Sequence, residues 1–306
     1  MIPPLTELLP DDVSPLRRLL ERGEFDAEYQ WMLAAARLEG LLQEAAAAVS
    51  VWDRGEMVAC GLANAQAMDS GTRQALVRVA VRADWRRQGI GSALLEEITA
   101  RVRAADQSPG RIDRLALFAW MPCDGAREFA ERAGFESVHF YHRMERPAVA
   151  CASPVWPDGI TVRTFDGSEE MLERWNTAYN AGFVATWRYR PGTLADCRRL
   201  AEAPGFHPDN VIIAFAGGEP AGLVRVAWEE GSGGADGIVE IVGVVPAQRS
   251  RGLGRALLRA GLQRLGSRKC RWFRLIVDAE SPVAPSLYQS EGFASAAMRQ
   301  IWEGRL

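Results

Sequence analysis

Two stretches decide how this chain is read: Arg86-Arg87-Gln88-Gly89-Ile90-Gly91-Ser92-Ala93-Leu94-Leu95 and Arg249-Ser250-Arg251-Gly252-Leu253-Gly254-Arg255-Ala256-Leu257-Leu258. They stand 163 residues apart. A second marker follows each: Phe129-Ala130-Glu131-Arg132-Ala133-Gly134-Phe135 and Tyr288-Gln289-Ser290-Glu291-Gly292-Phe293, spaced by 158 or 159. Two markers in one order, at nearly one distance, indicate two copies of one domain, with a period too long for a solenoid.

Each first marker follows an apolar run and opens a helical pattern. Such a junction is an anion site. The first turn of a helix leaves backbone N–H groups without intrahelical partners, and the macrodipole makes that end positive. Glycines at two-residue spacing (Gly89 and Gly91; Gly252 and Gly254) let a diphosphate approach the backbone without meeting a Cβ. Arg86 and Arg249, three residues before the first glycine, add nearby positive charge. Neither the Rossmann GxGxxG nor the P-loop Gly-Lys-Ser/Thr is present.

Both halves read as α/β with a mixed sheet. In the second half the pattern predicts strands over 160–165, 211–215, 221–228, 238–245, 272–277 and 297–303, and helices over 168–182, 252–265 and 283–290. In the first half it predicts strands over 49–53, 58–64, 75–81, 114–119 and 137–143, and helices over 11–20, 26–48, 89–104 and 125–133. Pro147, Pro154, Pro157 and Gly159 mark a seam, so the expected domains are 1–147 and 159–306, joined by a linker over 148–158.

The composition fits this picture. Of 306 residues, 48% are hydrophobic and 25% charged, which argues against disorder. The 36 basic and 39 acidic residues give a net charge of −3, against a basic nucleic-acid-binding domain. No apolar run approaches the roughly 20 residues of a membrane-spanning helix. The opening Met1-Ile2-Pro3-Pro4 does not read as a signal peptide. The five cysteines, Cys60, Cys123, Cys151, Cys197 and Cys270, are odd in number and far apart, which points away from disulfides or zinc and toward a cytoplasmic protein.

An apolar strand, [Q/R]xxGx[G/A], a helix, then Y-x-x-x-G-F is the pattern of the GNAT superfamily of acyl-CoA N-acyltransferases, and this chain resembles it in both halves. The tandem arrangement and the stretch Glu240-Ile241-Val242-Gly243-Val244-Val245-Pro246 look most like mycothiol synthase and related tandem GNAT proteins. The resemblance implies acetyl-CoA, or another short acyl-CoA, as co-substrate. It implies a pyrophosphate held by backbone N–H groups of Arg249, Ser250, Arg251, Gly252, Leu253, Gly254 and Arg255, with the pantetheine arm along Val242, Gly243 and Val244. The matching segments of the first half are Val79, Ala80 and Val81, then Arg86, Arg87, Gln88, Gly89, Ile90, Gly91 and Ser92. The family's frequent asparagine, seven residues before the tyrosine, is Ser281 here and Pro122 in the first half.

Acetyl transfer to an amine needs a base for the ammonium proton and an acid for the departing thiolate. By resemblance Tyr288 is the acid, and a phenol of pKa about 10 stays protonated at neutral pH. Glu240 is the expected base. A carboxylate inside Ile238-Val239-Glu240-Ile241-Val242 is out of pattern unless it faces a cleft, where burial would raise its pKa. In the first half Phe129 stands at the tyrosine's place and Val77 at the glutamate's, so that half is read as degenerate. No cysteine falls in either motif, which favours direct attack by the amine over an acyl-enzyme. The expected acceptor is a small-molecule primary amine, with the cysteinyl amino-sugar precursor of mycothiol as the narrower alternative. A non-catalytic CoA-binding sensor is the reading from another class; retention of Glu240 and Tyr288 in the same half speaks against it. Nucleic acid and membrane are not expected partners, no metal is expected, and a monomer and a homodimer are both open.

Other residues carry weaker signals. His139 and His142 sit three apart on a predicted strand and so on opposite faces. His207 is a loop residue that could face the acceptor. Trp187, Arg188, Tyr189 and Arg190 fall where the family lines its acceptor site, and Asp278 ends a strand where a cationic acceptor could meet it.

Overall fold

The computed structural model describes residues 2–22, 35–68, 73–105, 112–121, 123, 125–203, 205–231, 234–281 and 283–306. It divides into two compact units. Unit 1 is Met1–Phe140 with Met298–Leu306, and unit 2 is Tyr141–Ala297.

Unit 1 contains β1 (Leu5–Glu7), α1 (Val13–Arg22), α2 (Ala35–Gln43), β2 (Ala45–Asp53), β3 (Glu56–Ala67), β4 (Arg73–Val81), α3 (Ile90–Ala105), β5 (Ile112–Met121) and α4 (Ala126–Arg132). Then comes β6 (Glu136–Pro147), which runs on into unit 2. Unit 2 continues with β7 (Ile160–Thr164), α5 (Glu169–Phe183), α6 (Leu194–Ala201), β8 (Val211–Ala216), β9 (Glu219–Gly231), β10 (Gly234–Val244), α7 (Leu253–Gly266), β11 (Trp272–Asp278) and α8 (Ala284–Ser290). The last strand, β12 (Ala294–Arg305), returns to unit 1.

Each unit's sheet is antiparallel except for one parallel pair, β4 with β5 and β10 with β11. Each of those pairs is bridged by the long helix that starts at the glycine loop. The closing strand of each unit is the unexpected part. In unit 1, Met298 to Arg305 of β12 pair with Met121 to Arg114 of β5, and Trp302 enters the core at 1% exposure. In unit 2, Tyr141 to Pro147 of β6 pair with Asp278 to Trp272 of β11, and Met144 enters that core. The partition therefore differs from a linear cut between 147 and 159. Residues 148–157 have no regular structure and are tied down within unit 2, with Ala148 N–H donating to Arg271 O at 2.9 Å and Arg146 Nη2 to Val149 O at 3.3 Å.

Apolar side chains cover both faces of each sheet. In unit 1, α3 and α4 pack on one face through Leu94, Ile98 and Ala130, while α1 and α2 pack on the other through Leu16, Leu19 and Leu38. In unit 2, α7 and α8 cover one face through Leu257, Leu258 and Tyr288, and α5 and α6 the other through Met171, Trp175 and Cys197.

One element differs in kind from the sequence reading. The expected helix over 26–48 is helical over Ala35–Gln43, and its first part, 26–34, lies outside the described residues. Its end is strand: Ala47 pairs with Ala63 and Ala48 with Leu62. Alanine favours helix locally, but ladder bonds to β3 and burial of Ala47 at 6% outweigh a preference of tenths of a kcal/mol per residue. The short β1 and helix α6 were not expected. Helix α6 begins with a capping box, in which Thr193 Oγ1 accepts from Asp196 N–H at 3.1 Å and Asp196 Oδ2 accepts from Thr193 N–H at 3.0 Å.

Candidate active site

The glycine loop has the same backbone in both units. Arg87 and Ser250 have φ of 63° and 59°, and Gly89 and Gly252 have 83° and 88°. A left-handed non-glycine residue costs roughly 1–2 kcal/mol, and it recurs at the equivalent place in both copies. In unit 2 the first bond of α7 runs from Ala256 N–H to Gly252 O at 3.1 Å, and in unit 1 from Ala93 N–H to Gly89 O at 3.0 Å. The N–H groups of Leu253, Gly254 and Arg255 therefore have no intrahelical acceptor, nor do those of Ile90, Gly91 and Ser92. These are the groups that the sequence reading expects to cradle an anion.

The arginines before the cradle bond to the backbone of the strands that precede them. Arg86 Nε donates to Val81 O at 2.9 Å, and Arg249 Nε to Val244 O at 3.0 Å. Arg249 Nη2 also donates to Gly182 O at 2.9 Å. Each clamps its loop to the strand before it. Arg249 also fastens the end of α5, which lies so close to β10 that a Cβ on Gly243 would come within 2.7 Å of the Phe183 ring. Arg251 Nη1 donates to Gln248 Oε1 at 2.7 Å. Arg255 bonds to Ser290 Oγ at 3.1 Å and pairs with the buried Glu291, which also takes two 2.9 Å bonds from Arg259. These contacts brace the loop, α5 and α8.

Beside each cradle the parallel strands separate. Pairing of β10 with β11 ends at Val239 and Leu275, although β10 pairs with β9 as far as Val244 and β11 with β6 as far as Asp278. Pairing of β4 with β5 ends likewise at Val77 and Leu117. Each unit thus has a V-shaped gap whose edge in unit 2 is the backbone of Val242, Gly243 and Val244, and in unit 1 that of Val79, Ala80 and Val81.

Glu240 sits on a β-bulge at the apex of the V. In β10, Val239 pairs with Val226 and Ile241 with Arg225, so Glu240 is an inserted residue. In β4 the register is continuous: Val77 pairs with Ala63 and Arg78 with Leu62. Val77 is therefore the equivalent of Val239, not of Glu240 as counting from the arginine suggests, and unit 1 has no equivalent of Glu240. The carboxylate is not buried either. A third of its side-chain surface (33%) is exposed, and Oε2 lies 2.9 Å from Arg225 Nε. The burial expected from the apolar strand is absent.

Tyr288 lies in α8 at 8% exposure, its ring edge-on to Phe293 at 6.1 Å. Burial pushes its phenol up to about 12. No hydrogen bond from a described residue occupies its hydroxyl. The alignment of α8 with α4 corrects a second one-residue error. Phe293 N–H donates to Tyr288 O at 3.0 Å, and Phe135 N–H to Ala130 O at 2.9 Å. Ala130, not Phe129, occupies the tyrosine's place. Phe129 corresponds to Leu287, and these two side chains would meet a Cβ on Gly91 and on Gly254 at 3.3 and 3.6 Å. Ser281 braces the turn into α8, its Oγ accepting from Ala284 N–H at 3.3 Å. Pro122 lies outside the described residues.

The comparisons with known proteins agree with this geometry. The model of the acetyltransferase (GNAT) domain matches residues 45–137, and that of the acetyltransferase (GNAT) family matches residues 170–293. A mycothiol acetyltransferase of Catenulispora acidiphila is 31% identical over 219 residues, covering 70% of this chain and 68% of the relative. The chain belongs to the GNAT acetyltransferase family. A GCN5-related N-acetyltransferase from Sphaerobacter thermophilus superposes with a TM-score of 0.77 at 22% identity, covering 100% of this chain and 97% of that one. A tandem GNAT protein from the clavulanic acid biosynthesis pathway superposes with a TM-score of 0.73 at 17% identity, covering 99% and 98%. The chain is thus an acetyltransferase acting on an amine, built of GNAT domains in tandem, a family that uses acetyl-CoA as co-substrate. No described helix is long and apolar enough to cross a membrane.

In this GNAT chain the structure brings together two residues that the sequence left apart. Trp187 packs edge-on against Tyr141 at 6.4 Å, and Tyr141 is the cross-strand partner of Asp278 at the open end of β11. Arg188 stacks over Trp187 at 4.6 Å, and Arg190 is exposed. Tyr189 donates to Asn180 Oδ1 at 2.7 Å. Asn180 also bonds Gly192 N–H and O, at 2.8 and 2.9 Å, and so shapes the loop over 184–193. His207 is elsewhere. It stacks on Trp228 at 4.6 Å, and Trp228 pairs with Gly237, seven residues from the cradle end of β10 and roughly 23 Å along it. His142 Nδ1 is 3.2 Å from Ser295 Oγ in unit 2, and His139 is buried in unit 1. Sequence reasoning missed Arg225 and Asn180. Arg225, a charge within Leu223-Val224-Arg225-Val226, carries the same out-of-pattern signal that singles out Glu240.

Proposed function

We propose that unit 2 carries out the transfer of acetyl from acetyl-CoA to the primary amine of a small-molecule acceptor, and that unit 1 does no chemistry. The observation that carries this reading is the joint presence of the bulged Glu240 and the buried Tyr288 beside one V and their joint absence beside the other. The N–H groups of Leu253, Gly254 and Arg255 would hold the pyrophosphate, and the free edge at Val242, Gly243 and Val244 the pantetheine arm. Glu240, directly or through water, takes a proton from the acceptor ammonium. The amine nitrogen then attacks the thioester carbonyl, the new C–N bond forms, the C–S bond breaks, and the proton that the nitrogen loses passes through water to the departing thiolate.

Tyr288 faces the departing sulfur. A phenol near 12 is a weaker acid by three to four units than an ordinary thiol near 8.5, so full proton transfer to a free thiolate would run uphill. The hydroxyl serves best as a hydrogen-bond donor to the sulfur as charge develops, a stabilisation that such donors supply at a level of about a hundredfold or more. The name of the sequence relatives supports a finer reading of the acceptor, the cysteinyl amino-sugar precursor of mycothiol. The test is thiol release from acetyl-CoA against a panel of amines that includes this conjugate. Release with some amine, lost in Glu240→Gln, supports the reading. Release that survives both Glu240→Gln and Tyr288→Phe contradicts it.

A further inference from the structure

We infer that Arg225 is a positioning residue for the catalytic carboxylate: it holds the Glu240 side chain over the bulge. The inference rests on the assignment of Glu240 as base. An inserted residue on a bulge has no ladder partner to fix its direction. Here a guanidinium supplies the direction. Arg225 is the cross-strand neighbour of Ile241, one residue past the bulge, and its Nε is 2.9 Å from Glu240 Oε2. Arg225 is itself fixed. Only 14% of its side-chain surface is exposed, and its guanidinium lies 5.8 Å from the centre of the Trp175 ring of α5. Its approach to Glu240 is oblique, an ion pair without an aligned Nε–H bond, so it restrains the carboxylate while leaving its acceptor directions open to an ammonium or a water.

Other groups on this face leave the pair isolated. From α5 come Met171, Trp175, Ala178 and the phenol of Tyr179. From α6 comes Cys197, whose thiol burial pushes up to about 11 and so keeps neutral. From β11 comes Arg274, already engaged by Asp236 of β10 and Glu145 of β6. Loss of Arg225 therefore frees the Glu240 carboxylate from its place over the bulge. In unit 1 the position of Arg225 is Leu62 and the inserted glutamate is missing, so the two features are absent together.

The experiment separates kcat from KM for acetyl-CoA in the full chain. Glu240→Gln is measured first and is expected to remove most of the rate. Arg225→Gln is expected to lower kcat about tenfold with KM for acetyl-CoA unchanged, since Arg225 touches neither cradle nor V edge. Arg225→Lys is expected to bring kcat back most of the way. Arg225→Met, which keeps an apolar stem against Trp175, serves if glutamine disturbs β9. A kcat that stays at the wild-type value in both Gln and Met variants, while Glu240→Gln removes it, overturns the role of Arg225 and leaves the base standing. A rate that survives Glu240→Gln overturns the base itself.

Discussion

Unit 1 and unit 2 share a strand order, a glycine loop with the same left-handed residues, an arginine clamp and a V between parallel strands. Among their differences are one inserted residue and one side chain. Unit 2 has the Glu240 bulge where β4 runs straight, and Tyr288 where α4 has Ala130. The mouths of the loops differ as well. Ile2 lies against Gly89, 3.4 Å from where a Cβ would stand, whereas among the described residues nothing lies within 4 Å of that point at Gly252. The comparison separates two layers of the design. The cradle is a property of backbone conformation and survives in both copies. The proposed proton chemistry depends on a bulge and a phenol, and only one copy has them.

The strongest way to break this comparison is Glu240→Gln, expected to lower kcat by a factor of 10² to 10⁴ in a thiol-release assay. Next comes the pH profile at its alkaline end. Because burial holds Tyr288 near 12, its ionisation removes no activity below pH 10, and an alkaline limb below that point has to come from another group.

The same burial sharpens the contrast through stability. The buried Cys60 thiol of unit 1 is pushed up to about 12 from an ordinary 9, and Tyr288 to about 12 from 10, both by desolvation. Each native group holds its proton where the unfolded chain releases it, so stability is full below the unfolded value and falls as pH rises. The loss begins near pH 9 for Cys60 and near pH 10 for Tyr288. Tyr288→Phe is expected to remove roughly 2–3 kcal/mol of the decline between pH 10 and 12, and Cys60→Ala to flatten the curve from pH 9, both by denaturant titration. A smaller effect is expected from Glu291→Gln. It unpairs Arg255 and Arg259 and loosens α8, lowering Tm by about 5 °C while leaving KM for acetyl-CoA near the wild-type value.

The repeat, the mixed sheets and both cradles can be read from the sequence because they depend on local signals: glycines that permit positive φ, an apolar strand before them and a helical period after. What the sequence hides depends on distance or on phase. A bulge shifts the register by one residue without any mark of its own, so counting from Arg86 reaches Val77 and misses that Glu240 has no equivalent in unit 1. The pitch of α4 decides that Ala130, not Phe129, matches Tyr288, and only the hydrogen bond from Phe135 shows it. The passage of β6 into unit 2 and of β12 into unit 1 reflects long-range pairing that alternation along a strand cannot encode. The ion pair of Arg225 with Glu240 likewise joins residues on neighbouring strands, each visible alone as a charge out of place.

The matched pair Tyr288→Phe and Ala130→Ser tests the division of labour most directly, because the two changes fall at equivalent places in α8 and α4. The measurement is kcat for thiol release from acetyl-CoA at saturating acceptor. The expected result is a fall of about a hundredfold for Tyr288→Phe, with Ala130→Ser within threefold of the wild type. A full rate in Tyr288→Phe together with a collapse in Ala130→Ser would place the chemistry in unit 1 and contradict the assignment.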